Sequence, residues 1–228
     1  MNSLSTVRLG EASDLVVKVE RALTAAVLQA NLDPNVGIYS IDGMSGRKYR
    51  FFINALIRSL ADARYLEVGT WRGSTLCSAV HGNKVRAVAI DNWSEFGGPK
   101  DVCMANLKRF MTPENSVHVI EGDFRAVDYR DIGTFNVYLF DGPHEEKDQY
   151  DGLAMALPAV DKEFVFVVDD WNWDKVRSGT FAAIEKCGLK VRFASEIRTD
   201  LPEPHKFEHA GRHTDWHNGY FISVLEKA

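Results

Sequence analysis

The sequence predicts an α/β fold in which a mainly parallel, doubly wound sheet carries helices on both faces. Three observations predict it. Short apolar runs alternate with segments of helical spacing from Tyr65 to Leu225, the pattern of helices that cross back over a sheet between parallel strands. Phe164 to Val168 is an almost pure apolar run, as a central strand buried on both faces requires. Ala63 to Thr75, read Ala-Arg-Tyr-Leu-Glu-Val-Gly-Thr-Trp-Arg-Gly-Ser-Thr, has the form strand, glycine turn, helix, a turn that lets a ligand approach bare backbone beside the first N–H groups of a helix.

Taken in order, residues 1 to 11 give no periodic signal. From Ser13 onward Leu15, Val16, Val19, Leu23, Ala26, Val27 and Ala30 recur at helical spacing, with Ser13 or Asp14 as cap. The segment 35–47 is a glycine-containing loop of the composition found in lids and in plain connectors alike. Lys48 to Ala61 is a second amphipathic helix with Phe51, Phe52, Ala55, Leu56, Ile57 and Leu60 towards the core. After the glycine turn the expected elements are helix Ser74 to Val80, strand Val85 to Ile90, helix Lys100 to Met111, strand Ser116 to Ile120 and strand Phe135 to Phe140. Then come helix Lys147 to Leu157, strand Phe164 to Val168, helix Lys175 to Cys187 stopped by Gly188, and strands Lys190 to Ile197 and Tyr220 to Leu225.

With 228 residues, 45% of them hydrophobic, the chain suits one domain. Residues 1–62 would form an N-terminal helical cap and lid loop, and 63–228 the core. A net charge of -5 without a basic run lacks the electrostatic footprint of a nucleic-acid binder. Cys77, Cys103 and Cys187 are far apart and odd in number, which points to a reducing compartment. There is neither a signal-peptide pattern nor an apolar run long enough for a membrane span. The expectation is a soluble, cytoplasmic protein with no membrane or nucleic-acid partner, whose amphipathic helix at Ser13 to Ala30 offers a face for a second copy.

Ligands of doubly wound sheets sit beyond the carboxyl ends of the strands. In this chain those ends read Glu67 to Gly69, Asp91-Asn92-Trp93, Glu121-Gly122-Asp123-Phe124, Asp141-Gly142-Pro143-His144 and Asp169-Asp170-Trp171-Asn172. Every one carries a carboxylate. Crowding so many like charges costs free energy unless they meet hydroxyls, amines or a cation. Asp91 lies just over twenty residues past the glycine turn, where such folds place an acid on a ribose hydroxyl pair. The turn is G-x-x-x-G rather than G-x-G-x-x-G, and Glu67 precedes it. That favours a cofactor with a positive end and no pyrophosphate.

Leu66 to Ser74, then Asp91, then Gly122-Asp123-Phe124 resemble, in order and spacing, the first three motifs of class I S-adenosylmethionine-dependent methyltransferases. The resemblance implies a Rossmann-like, seven-stranded sheet with an antiparallel last strand. It implies that Glu67, Gly69 and Gly73, with Thr70 and Ser74 of the same motif, shape the methionine pocket. Asp91 would take the ribose hydroxyls with Trp93 directly after it, and Asp123 with Phe124 would meet the adenine.

Asp141-Gly142-x-His144 and Val168-Asp169-Asp170-Trp171 are in turn similar to metal-assisted small-molecule O-methyltransferases, of the catechol type and of the antibiotic-sugar type related to macrocin O-methyltransferase. This implies Asp141, Asp169 and Asp170 as ligands of a divalent ion, with Asp141 also beside the cofactor. All-oxygen ligation favours Mg²⁺, and a bound cation would lower the pKa of the acceptor hydroxyl. His144 and Lys147 are the candidates for the base; His144 could instead support the metal or the loop.

His205, His209, His213 and His217 recur every fourth residue, one line if the segment is helical and then able to bind zinc. Pro202, Pro204 and Gly211 oppose such a helix, so this segment reads as a specificity loop with Trp216 and one or two histidines facing the acceptor. Trp71, Trp171 and Trp173 also follow strand ends, as pocket walls or as packing. The expected function is methyl transfer to a hydroxyl of a small molecule. The rivals are an NAD-dependent oxidoreductase, which the missing G-x-G-x-x-G opposes, and a non-catalytic cofactor-binding module. Cephalosporin-hydroxylase-type proteins share the metal arrangement, so it does not by itself fix the reaction.

Overall fold

The structure, a computed structural model, describes residues 3–29, 33, 37–200 and 210–228. One eight-stranded sheet runs through it in the order β1-β7-β8-β6-β5-β2-β3-β4. The strands are β1 (Ser3–Arg8), β2 (Ala63–Val68), β3 (Val85–Asp91), β4 (Asn115–Glu121), β5 (Phe135–Phe140), β6 (Val160–Val168), β7 (Lys190–Arg198) and β8 (Tyr220–Glu226). Between them lie α1 (Asp14–Leu28), α2 (Arg47–Ser59), α3 (Ser74–Val80), α4 (Lys100–Phe110), α5 (Glu146–Ala156), α6 (Asp174–Lys186) and the single turn α7 (Ala210–His213). The central pairs β2–β3, β3–β4, β2–β5 and β5–β6 are parallel, and β8 runs antiparallel between β6 and β7. This is the Rossmann-like sheet with an antiparallel last strand.

The eighth strand is the departure. Residues 3–8, which carry no periodic signal, pair antiparallel with β7 at the sheet edge. Every β1 residue is exposed, so neither face imposes alternation on the sequence; backbone pairing, with a Thr6–Ser195 hydroxyl contact at 3.1 Å, makes the strand. The segment before residue 62 is therefore not purely helical. The helices agree with the sequence to within a residue or two. Ser13 Oγ caps α1 by accepting the Val16 amide at 3.2 Å.

Period-two side-chain alternation divides the core. Tyr65, Ala87, Val137, Val165 and Ile222 face the cluster under α1, α2, α3 and α4. Leu66, Val88, Tyr138, Phe166 and Phe221 face the cluster under α5 and α6. Strands buried from both sides give the continuous apolar runs seen at 135–140 and 164–168. Because the chain leaves β2 for β3 and β4 and returns on the other side as β5, the order reverses between β2 and β5. That switch point opens the crevice that holds the site.

Loop 38–45 is bound tightly to this frame. Arg50 of α2 is wholly buried, and its guanidinium donates to the carbonyls of Ile38 and Ile41 at 2.7 Å, Ser45 at 3.0 Å and Gly43 at 3.2 Å, and to Ser45 Oγ at 2.9 Å. Burial pulls its pKa down to about 10, so it stays charged at neutrality. Gly211 packs on the same guanidinium, with a Cβ there only 2.3 Å from Arg50 Cζ. Arg50 thus joins the loop before α2 to the turn before β8.

Candidate active site

The crevice is closest-packed where β2 and β5 end. Asp141 N donates to Val68 O at 2.8 Å, and a Cβ on Gly69 would stand 1.8 Å from Asp141 O. With φ +86° as well, only glycine fits this turn. Above it lies a cavity of about 270 Å³. Val68, Gly69 and Trp71 wall it from β2 and its turn, Asp91, Asn92 and Phe96 from the end of β3, and Gly122 to Arg125 from the end of β4. Asp141 to His144, Asp169, Asp170, Trp173, Met44 and His217 complete the wall. Among the described residues, four of the five non-glycine residues with positive φ, namely Trp71, Phe96, Asp170 and His217, stand on this wall, concentrating backbone strain where a ligand would bind.

On the β3 side, Asp91 Oδ2 accepts the amides of Thr70 and Trp71 at 2.7 Å each, and Oδ1 accepts that of Trp93 at 2.6 Å. Asp91 reaches the cavity while also fastening the glycine turn to its own loop. Phe124 packs edge-on against Phe140 at 5.3 Å and carries the Arg125 guanidinium over its ring at 4.4 Å. Arg125, which the motifs do not flag, is anchored by ion pairs to Asp148 and Asp151 of α5. Asp123 caps the short turn at Phe124 by accepting the Arg125 amide at 2.8 Å.

Several expected cofactor residues act from behind the wall. Glu67 is fully buried and does not line the cavity. It accepts the Tyr65 hydroxyl at 2.5 Å and the Thr75 hydroxyl at 2.7 Å, and burial raises its pKa to about 7 against these favourable bonds. Gly73 caps α3 in the left-handed conformation, and Ser74 Oγ lies 2.8 Å from Ser45 Oγ, tying α3 to the loop before α2. Thr70 is buried. Trp93 is buried too and turns away from the cavity, donating its indole N–H to Trp71 O at 2.8 Å. It supports the wall rather than forming it, because Trp93 itself sits at φ +47°, where the chain reverses.

The acids gather at the ends of β5 and β6. His144 Nε2 stands 2.7 Å from Asp170 Oδ2 and 4.0 Å from Asp141 Oδ1. Asp169 lies deeper, 5% exposed, with its Oδ1 accepting the Asp170 amide at 2.7 Å. Burial first, and then mutual repulsion with Asp170, pushes the Asp169 carboxyl well above the usual range, and Asp141 follows for the same reasons with Asp169 as its main repulsive neighbour. Burial also works to raise Asp170, but contact with His144 and the Asn218 amide at 2.7 Å outweigh it and leave Asp170 below its ordinary value.

The ligand-type side chains that converge are thus Asp141, His144 and Asp170, whose donor atoms all lie within 4.8 Å of one another. The expected trio had Asp169 in place of His144. A cation fits this place by its donor chemistry, two carboxylates and an imidazole nitrogen that converge on the cavity. Lys147 does not belong here. It sits on the exposed side of α5, 79% exposed, where the i,i+4 pair with Asp151 at 2.6 Å holds it in solvent.

Two tryptophans resolve as packing. Trp171 stacks on Phe221 at 4.4 Å and donates to Glu196 at 2.8 Å, and Trp216 is buried against Tyr220. Trp71 and Trp173 are wall residues. Of the four spaced histidines, His205 and His209 lie outside the described residues. His213 ends α7 exposed, whereas His217 is buried at φ +42° on the cavity wall. The helix stops after one turn, so the described pair does not form a line.

No curated protein sequence matches the chain. A methyltransferase-domain family model matches residues 66–171. Among solved structures, the O-methyltransferase TomG from Streptomyces achromogenes, involved in tomaymycin synthesis and crystallised with S-adenosylmethionine, aligns at TM-score 0.53 and 17% identity over 96% of this chain and 92% of its own. The Bacillus cereus O-methyltransferase in complex with S-adenosylhomocysteine gives 0.51 and 14% over 96% and 93%. TrmN from Thermus thermophilus gives 0.52 and 16% over 78% of this chain, which spans only 49% of TrmN. Such identities speak to fold. Segment 66–171 is similar to methyltransferase domains, and the chain that carries it has the fold of class I S-adenosylmethionine-dependent methyltransferases.

Proposed function

We propose that the protein transfers the methyl group of S-adenosylmethionine to a hydroxyl oxygen of a small molecule, with a divalent cation held among the acids. The observation that carries this reading is a single cavity that joins the Asp91 and Phe124 walls to Asp141, His144 and Asp170. Two reactants held in one cavity gain the advantage of proximity and alignment. The B. cereus and TomG structures, solved with the cofactor or its product, support the cofactor half.

In this reading Gly69 presents backbone to the methionine part, Asp91 receives the ribose hydroxyls, and Asp123 and Phe124, with Arg125 above the ring, flank the adenine. S-adenosylmethionine, when bound, supplies an electrophilic methyl group. Asp141, His144 and Asp170 orient the acceptor hydroxyl, and a cation among them would lower that hydroxyl's pKa. Trp71, Trp173, Met44 and His217 exclude water around the acceptor. The acidic wall and the net charge of -5 suit a small acceptor rather than a polyanion. No helix among the described residues is long and apolar enough to cross a membrane, and the proposed setting is the cytoplasm, as a monomer or homo-oligomer.

The test is a screen of catechols, sugars and polyketide-like hydroxyls with labelled S-adenosylmethionine, with Mg²⁺, with Mn²⁺ and in EDTA. Metal-stimulated label on oxygen is the expected result. Labelling of nitrogen alone, or tight binding of NADH in place of S-adenosylhomocysteine, would overturn the proposal.

A further inference from the structure

The role of His144 follows from where its ring is held. The imidazole packs edge-on against Trp173, centroids 4.7 Å apart and planes at 76°, so packing on the tryptophan and the Asp170 carboxylate at 2.7 Å together set its orientation. Trp173 is tied in turn by its amide to Asp170 O at 3.0 Å. Asp170 occupies the left-handed region at φ +54°, a conformation disfavoured for a side-chain-bearing residue. Asn218 holds its other oxygen at 2.7 Å. This arrangement aims Asp170 Oδ2 at His144 Nε2, while the other side of Nε2 looks towards Asp141 at 4.0 Å. Donor atoms on one ion at bond lengths of about 2.0–2.2 Å lie roughly 3–4 Å from each other, and this trio needs only small movements to reach that spacing.

We infer that the cation of this site is held by Asp141, His144 and Asp170, a mixed oxygen and nitrogen donor set that selects Mn²⁺ or a later first-row divalent ion over Mg²⁺. The inference rests on the methyltransferase reading above and assigns His144 as a ligand instead of the base. Imidazole suits transition ions, whereas Mg²⁺ prefers carboxylates and water. Asp169 lies beneath, one oxygen committed to the Asp170 amide, and orients the ligand next to it in sequence. Nε2 stands 2.7 Å from Asp170 Oδ2 and 4.0 Å from Asp141 Oδ1, a position from which it can complete a cation's shell.

Calorimetric titration of the full chain with MnCl₂ and with MgCl₂, without acceptor, tests this. Wild type should bind Mn²⁺ at least about tenfold more tightly than Mg²⁺. His144→Ala should weaken Mn²⁺ about tenfold or more and leave Mg²⁺ within about twofold, so that the preference collapses. Lys147→Ala should change neither. S-adenosylhomocysteine affinity monitors folding of each variant. If His144→Ala does not fold, pulsed electron paramagnetic resonance of Mn²⁺-loaded wild type should still detect coupling to an imidazole nitrogen.

Equal affinity for the two ions, unaltered Mn²⁺ binding in the variant, or absence of nitrogen coupling would each overturn the assignment. Failure to bind either cation would do so too. If S-adenosylhomocysteine still binds in that case, the methyltransferase reading survives; if wild type binds no S-adenosylhomocysteine, that reading is what fails.

Discussion

At the ends of β2 and β3 the chain answers its own carboxylates, whereas at the ends of β5 and β6 the carboxylates are left to face one another. Asp91 takes three backbone amides and Glu67 takes two hydroxyls. Asp141 and Asp169 have no lysine or arginine against them among their largest influences, and burial with mutual repulsion governs both. One half of the crevice is complete before any ligand arrives. The other is held under electrostatic stress that a cation would relieve.

The largest effect should come from the stressed half. Asp170→Asn keeps a residue that tolerates positive φ and keeps an acceptor for Asn218, yet removes a charge. Methyl transfer should fall on the order of a thousandfold while the Kd of S-adenosylhomocysteine changes less than about threefold. Retained turnover would mean that the acceptor does not use this end. In the self-satisfied half, Asp91→Ala should weaken S-adenosylhomocysteine at least about tenfold, ~1.4 kcal/mol, and lower the Tm as well, because the turn amides lose their acceptor. Calorimetry and a thermal melt report both; unchanged affinity would remove Asp91 from the cofactor.

A smaller effect separates the halves by pH. Glu67 has its pKa raised from 4.5 to about 7 by burial, so the folded state favours its neutral form. The stability tied to that proton is present below pH 4.5 and is lost as pH rises to about 7. Glu67→Gln, which stays neutral, should flatten this part of the stability–pH curve and gain relative to wild type at pH 8. Denaturant midpoints at pH 5 and pH 8 measure it. A variant that loses as much stability as wild type over that interval would show that another group sets the slope.

How legible each part was follows from the physics that built it. The parallel core could be read because burial imposes apolar runs on Phe135 to Phe140 and Phe164 to Val168. The edge strand β1 could not, since its six exposed residues answer mainly to backbone pairing, which imposes no apolar pattern. Strand-end acids could be found from the strands themselves, but their partners depend on chain reversals. Trp93 turns away from the cavity at φ +47° and Asp170 into it at φ +54°, and no spacing rule encodes either. Arg125 and Arg50 had no motif to flag them; an arginine in an otherwise apolar helix face, Phe51 and Phe52 beside it, was the available signal for Arg50.

The smallest predicted effect is the one that tests the boundary of the stressed half. Lys147 carries the nearest lysine charge in sequence to Asp141, and spacing alone made it a candidate base. Its ammonium instead pairs with Asp151 one helical turn on, in solvent, and Asp151 keeps a second partner in Arg125 at 3.1 Å. An exposed i,i+4 pair contributes about 0.3–0.5 kcal/mol. Lys147→Ala should therefore shift stability by no more than about 0.5 kcal/mol and leave the methyl-transfer rate, cofactor affinity and metal preference as they are. A large fall in rate with intact cofactor binding would place the lysine at the acceptor during turnover, which requires α5 to unwind its first turn and release the Glu145 and Asp148 capping box.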